Sequence, residues 1–279
     1  MCARAGSDAQ RQQWLPGIAS GETILTTAWL EPRGGFDPAG VRLAATPSGD
    51  GFLLAGEKSH VPFAKAADRI LVLARTGPEE DAIDLFLLDP TAAGVSWAQE
   101  RTMASDTQYR VRLDGVRVEA GDRVGEAGRG WWVWMDALHD GAILLAAQAM
   151  GGAARALEMT VTYAKEREQF GKPLGAFQSL AHYMADASTT IAGGQTLVYE
   201  AAWARDRGRS IRRLAPMAKS FACGTFHDVT RVAQQIHGGM GFSVEYDIQL
   251  YFRRAKQLEL SWWDTPFLEE LVAADALDS

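Results

Sequence analysis

The sequence predicts an α+β chain: a small β-barrel or sandwich domain over residues 22–125, followed by an antiparallel four-helix bundle over residues 126–279. Two changes along the chain predict it. Up to about Arg123 apolar residues recur mostly at a spacing of two, the period of a half-buried strand. From about Gly130 they recur at three and four, and no proline interrupts the chain from Gly130 to Lys172. A length of 279 residues with 47% hydrophobic content fills a core of that size.

The elements follow in order. "DAQRQQWL" gives a short helix from Asp8 to Leu15, stopped at Pro16 and followed by a Gly/Ser turn. Residues 1–21 read as the end of something longer. "TPSGDGFLLAGEKSHV" predicts a hairpin turn at Ser-Gly-Asp-Gly, and "RILVLA" and "IDLFLLD" are short strands separated by the turn "RTGPEED". "YRVRLDGVRV" sets Tyr109, Val111 and Leu113 on one face and Arg110, Arg112 and Asp114 on the other. Helical spacing of Leu145, Ala149, Gly152, Ala156, Met159 and Tyr163 then predicts one long helix or two abutting ones. Ala146, Ala147, Gly151, Gly152 and Ala153 would let a neighbouring helix come close. Further helices are expected from about Phe177 to Asp206, from Ile211 to His237, and after Tyr246.

The formal charge of −7 is dispersed among Lys and Arg, which argues for solubility and against a nucleic-acid footprint. Cys2 and Cys223 have neither metal-ligand spacing nor the density of a disulfide scaffold, so no metal is expected and a reducing cytoplasm is the simplest location. No apolar run is long enough for a membrane span, and no signal-peptide layout opens the chain.

Solvation explains the charges of "YAKEREQFGKPLGAFQ" but not Phe170, Phe177 and Gln178. Taken with "WLPGIASGE", "LEP", "GEKSHVP", "AAD" and "QQIHGGMGF" in this order, the stretch resembles the acyl-CoA dehydrogenase family over nearly the whole chain. The resemblance implies an FAD site shared between subunits of a homo- or hetero-oligomer, an acyl-CoA substrate and an electron-accepting flavoprotein. It also implies that residues 1–21 are the remnant of an N-terminal helical domain. It places Arg167 at the pyrophosphate of a neighbouring subunit's FAD, where a guanidinium fork suits the oxygens, and Phe170 beside the adenine. Phe177 and Gln178 complete that corner. Gln235, Gly238 and Gly239 match the turn at which missing Cβ atoms admit the dinucleotide. The family's "TEP" appears as Leu30-Glu31-Pro32 and its "W-I-T" as His60-Val61-Pro62, so each motif, entered at Leu30 and His60, loses a hydroxyl at the flavin edge. The bland readings are a solvated Arg167, core phenylalanines at a helical corner and a plain glycine helix stop.

In that family a carboxylate removes the α-proton of the acyl thioester while a hydride leaves the β-carbon for the flavin. Both positions known for that carboxylate are altered. "FRRAKQLELSWWDTPF" puts Trp262, Trp263 and Asp264 where a Glu-Gly pair is expected, and the alternative position in the first long helix is Gly141. Asp140 is the nearest carboxylate and the first candidate base, although one residue turns a helical side chain by roughly 100°. Asp264 is the second, with a helix N-cap before "TPFLEELVAA" as its competing role. Relatives acting on bulky steroid or side-chain CoA esters share the "FRRAK" and "VP" patterns, and several work as unlike pairs in which one partner supplies the base. Three functions are therefore expected: an FAD-dependent acyl-CoA dehydrogenase, a non-catalytic subunit that completes a partner's FAD site, or a truncated inactive homologue.

Overall fold

The computed structural model describes residues 1–277 and divides into two compact units between Ala137 and Leu138. In the first unit, α1 (Cys2–Ala5) and α2 (Asp8–Ser20) precede the strands. Helix α2 starts at a capping box in which Ser7 and Gln10 exchange side-chain-to-backbone bonds, and it ends at Gly21 in the left-handed conformation. It runs through Pro16 rather than stopping there. A proline removes one N–H and costs stability, but the caps at Ser7 and Gly21 set the ends. Gln10 is buried and donates to the carbonyls of Gly121 and Arg123, both at 2.9 Å, which ties α2 to the end of the β region.

The sheet contains β1 (Leu25–Ala28), β2 (Ala44–Ser48), β3 (Gly51–Pro62), β4 (Arg69–Arg75), β5 (Ile83–Leu88), β6 (Val95–Glu100) and β7 (Gln108–Glu119). Its order is β1-β4-β2-β3-β7-β6, with β5 also on β4. The expected hairpins form, β2 to β3 through Gly49 and β4 to β5 across "RTGPEED". The sheet is mixed, however, because β4 runs parallel to both β1 and β2, a long-range arrangement that strand periodicity does not encode. Strands β4 and β5 are buried along almost their whole length, as in a sheet covered on both faces. Strand β7 shows the predicted alternation until Gly115, where a positive φ shifts its phase.

Helix α3 is a single helix, Gly130–Glu166. In the second unit its most buried line is Ala142, Ala146, Ala149, Ala153, Ala156, Thr160 and Ala164, a stripe of small side chains one step from the predicted one. Gly152 serves the predicted close approach, since a Cβ there would lie 2.5 Å from Phe226, whereas Gly151 and Ala147 are exposed. Helices α4 (Gln178–Asp206) and α5 (Leu214–His237) follow, joined to α3 by the short strands β8 (Glu168–Gln169) and β9 (Lys172–Pro173). The last helical segment is two helices, α6 (Ile248–Leu260) and α7 (Thr265–Leu277), not one. The break at Ser261–Asp264 contains Trp262 at φ 68°, outside helical geometry, and the Asp264 carboxylate then caps α7 by accepting from the Phe267 N–H at 3.1 Å. Among the described residues no helix is long and apolar enough to cross a membrane, and no cluster of ligand side chains could hold a metal ion.

Candidate functional site

The corner between α3 and α4 is built for display. Strands β8 and β9 pair around the two-residue turn Phe170-Gly171, whose φ values of 54° and 76° are both positive, as a tight hairpin turn of this type requires. Gly171 adopts that backbone freely, but Phe170 does so under strain and is 90% exposed. Such a strained aromatic buries little of its surface among the described residues. Its ring meets Phe177 edge-on at 6.2 Å, and the Lys172 ammonium sits 4.2 Å over the Phe177 ring. Arg167 is exposed just past the end of α3, and Gln178 is exposed at the start of α4. Arg167, Phe170, Lys172, Phe177 and Gln178 all lie at this corner.

At the end of α5, Gly238 takes φ 61° and ψ −133°, backbone that only glycine tolerates well, and its N–H caps the helix on Gln234 and Gln235. A Cβ at Gly238 or Gly239 would meet nothing within 4 Å, so the backbone there faces open space, and Gln235 is exposed beside it. His237 stacks on Tyr163 at 4.3 Å, one helical turn before Arg167. That stack brings the Arg167 corner and the Gly238 turn together in one region of the second unit.

Both base positions are occupied by one packing arrangement. A Cβ built on Gly141 would fall inside the indole ring of Trp262. The tryptophan fills the space a side chain at Gly141 would need, and it can do so only because residue 141 is glycine. The loop holding it is pinned from beneath: the fully buried Lys219 donates to the carbonyls of Trp263 at 2.7 Å and Glu259 at 3.2 Å. Burial lowers the pKa of that ammonium, with Cys223, Glu259 and Asp264 acting in the opposite direction. Asp140 is engaged elsewhere, since the Arg205 guanidinium meets its two carboxylate oxygens at 2.7 and 3.1 Å. Asp264 is the cap of α7.

The first unit carries Leu30 and His60. Strands β3 and β7 slip by one residue between Lys58 and Val61, so Ser59 and His60 form a bulge with His60 at φ 54°. The Ser59 N–H donates to the Leu30 carbonyl at 2.9 Å, which sets Leu30 beside the bulge, while exposed His60 contacts Gln108 through Nδ1 at 3.0 Å. Beneath them lies a buried ion pair that sequence reading passes over. Lys58 Nζ donates to Glu31 Oε1 at 2.7 Å and to the Trp29 carbonyl at 3.2 Å. The same Glu31 oxygen accepts the N–H groups of Arg42 and Leu43, each at 2.9 Å. Burial pushes Lys58 down to about 8, against the upward pull of Glu31. "LEP" and "GEKSHVP" are thus two halves of one interaction that fixes the backbone of Leu30 and His60.

Comparison with known proteins agrees with this architecture. The family model for the acyl-CoA dehydrogenase middle domain matches residues 26–116, and that for the acyl-CoA dehydrogenase C-terminal domain matches residues 128–261. The chain belongs to the acyl-CoA dehydrogenase family. It is 32% identical over 277 residues to the 3-(aryl)acrylate reductase of Clostridium sporogenes, covering 98% of this chain and 73% of that protein. It is likewise 32% identical over 254 residues to the caffeyl-CoA reductase-Etf complex subunit CarC of Acetobacterium woodii, covering 89% and 67%. The structure of butyryl-CoA dehydrogenase from Megasphaera elsdenii superposes with a TM-score of 0.95 at 31% identity, over 99% of this chain and 74% of that one.

The family binds FAD, and this surface fits such a group. It offers a free guanidinium fork, an unpacked aromatic face and a glycine turn whose Cβ positions stand open.

Proposed function

We propose that this chain is an FAD-binding subunit of an acyl-CoA dehydrogenase-type oxidoreductase that carries no α-carbon base of its own and completes a dinucleotide site shared with a second subunit. The observation that carries this reading is the Trp262 indole seated in the space beside Gly141, which closes both base positions at once. The pairing of Asp140 with Arg205 and the capping role of Asp264 remove the two nearest substitutes. FAD, when bound, supplies the two-electron redox chemistry. The residues of this chain bind and orient it. Arg167 neutralises pyrophosphate oxygens, Phe170 presents a flat face to the adenine with Phe177 packed against it edge-on, and Gly238 and Gly239 admit the dinucleotide to the backbone, with Gln178 and Gln235 flanking them. In the first unit Leu30 and His60 border the flavin with fewer hydroxyl donors than the family pattern provides.

The relatives' names support an acyl-CoA ester as the substrate class and an electron-transferring flavoprotein as redox partner. The α-proton then goes to a carboxylate on the other subunit. An FAD titration followed by flavin fluorescence, with the chain alone and with a full-length homologue, tests the binding half of the proposal. Arg167→Ala is expected to weaken FAD roughly tenfold or more, the range for losing a charge-assisted hydrogen bond, and Arg167→Lys to recover part of it. Failure of the wild-type chain to take up FAD in either setting would overturn the proposal.

A further inference from the structure

We propose that His237 is a positioning residue that holds the two halves of the dinucleotide cradle together and lets them part when its ring takes up a second proton. The inference rests on the FAD-binding reading above and goes beyond it, because His237 belongs to neither half of the cradle yet touches both. It is 3% exposed and lies directly before Gly238. One face stacks on Tyr163 at 4.3 Å with the planes 24° apart, and Tyr246 lies 5.1 Å away. Tyr163 is on α3, one turn before Arg167. The imidazole is therefore the contact through which the Arg167 corner and the Gly238 turn are set relative to each other.

Its protonation state follows from geometry. Nδ1 lies 2.7 Å from the Ala233 carbonyl, which can only accept, so Nδ1 carries the hydrogen and Nε2 keeps its lone pair. Nε2 is buried and has no hydrogen-bond partner among the described residues. A proton added there would create a donor and a charge with no acceptor, inside a packed aromatic cluster. The titratable groups in ring contact with the imidazole are the phenols of Tyr163 from α3 and Tyr246 from the segment before α6. Burial lowers the imidazole below its ordinary value, partly offset by the bond to Ala233. The folded chain therefore loses stability as pH falls from the ordinary 6.5 through the lowered folded value, and the loss is complete below it.

The experiment compares FAD affinity of the full chain near neutral pH and at a lower pH at which imidazole NMR of the free chain shows the His237 ring doubly protonated. The wild type is expected to lose affinity about tenfold or more between the two, while His237→Phe, which keeps a flat ring without a titrating nitrogen, holds the ratio within about twofold. Tyr163→Leu removes the stack from the other side and is expected to weaken FAD at both pH values while preserving the titration. Imidazole NMR of the FAD-free chain gives a second readout, with the Nδ1–H tautomer persisting below the ordinary value. Equal pH ratios in wild type and His237→Phe, or an Nε2–H tautomer in the free chain, would overturn the inference while leaving FAD binding intact. No FAD binding at either pH would overturn the function proposed above and this inference with it.

Discussion

Gly141→Ala is expected to destabilise the second unit by about 3 kcal/mol or more, the upper part of the range for forcing atoms into a filled core. The added methyl would have to occupy the Trp262 ring, and the ring has little freedom to yield. Trp262 is already in left-handed backbone, and its loop is held on one side by Lys219 and on the other by the Asp264 cap of α7. The new methyl therefore drives out the indole and disturbs the loop with it. Trp262→Gly should cost stability by itself through lost burial, yet in that background Gly141→Ala should cost little. The two substitutions are then strongly non-additive, and chemical denaturation of the four proteins measures the coupling. A full cost for Gly141→Ala in both backgrounds would show that the glycine answers to something other than the indole.

Lys58→Met carries the other large effect, a loss of about 3–5 kcal/mol in the first unit. The substitution leaves the Glu31 carboxylate buried, with the N–H groups of Arg42 and Leu43 as its close donors. Lys58→Met with Glu31→Gln removes both charges and keeps an oxygen for those two donors, so most of the loss should return. The pH dependence gives an independent check. The folded pKa of Lys58, about 8, lies below the ordinary 10.5, so the unfolded chain binds the extra proton across that window. The Lys58 contribution therefore makes wild-type stability rise with pH from about 8 to 10.5, and the double variant should lack this component. Denaturant midpoints across that range read the difference. FAD affinity should fall in the single variant too, because the pair fixes the backbone of Leu30 and His60.

What the sequence reveals about this protein divides by the range of the interaction. The alternation of "YRVRLDGVRV", the hairpin glycines and the Asp264 cap are local patterns, and the structure contains each of them. The two-residue turn at Phe170-Gly171 is equally local, although the strain on Phe170 shows only in its dihedral angle. The parallel pairing of β1 with β4 is invisible to periodicity because two intervening strands must be placed first. The break before α7 is legible at its far edge, through the Asp264 cap, but at Ser261–Trp263 no glycine or proline announces it. The charge of Lys58 and Lys219 gives no hint of burial, yet both are fully buried. A signal for Lys219 does exist: Ala215, Ala222 and Cys223, a turn away on either side, are all buried apolar residues. The absence of the usual carboxylates is legible position by position. That Gly141 and Trp262 depend on each other is not, because Gly141 lies in α3 and Trp262 in the break after α6, far apart in sequence.

The central claim is that the chain binds FAD and holds no base for the α-carbon. Deuterium exchange at the α-carbon of butyryl-CoA in heavy water, with the FAD-loaded chain as the only protein, tests it most directly. No exchange above the protein-free rate is expected, with exchange appearing once a base-bearing full-length homologue is added. Exchange by the chain alone that disappears in Asp140→Asn would contradict it.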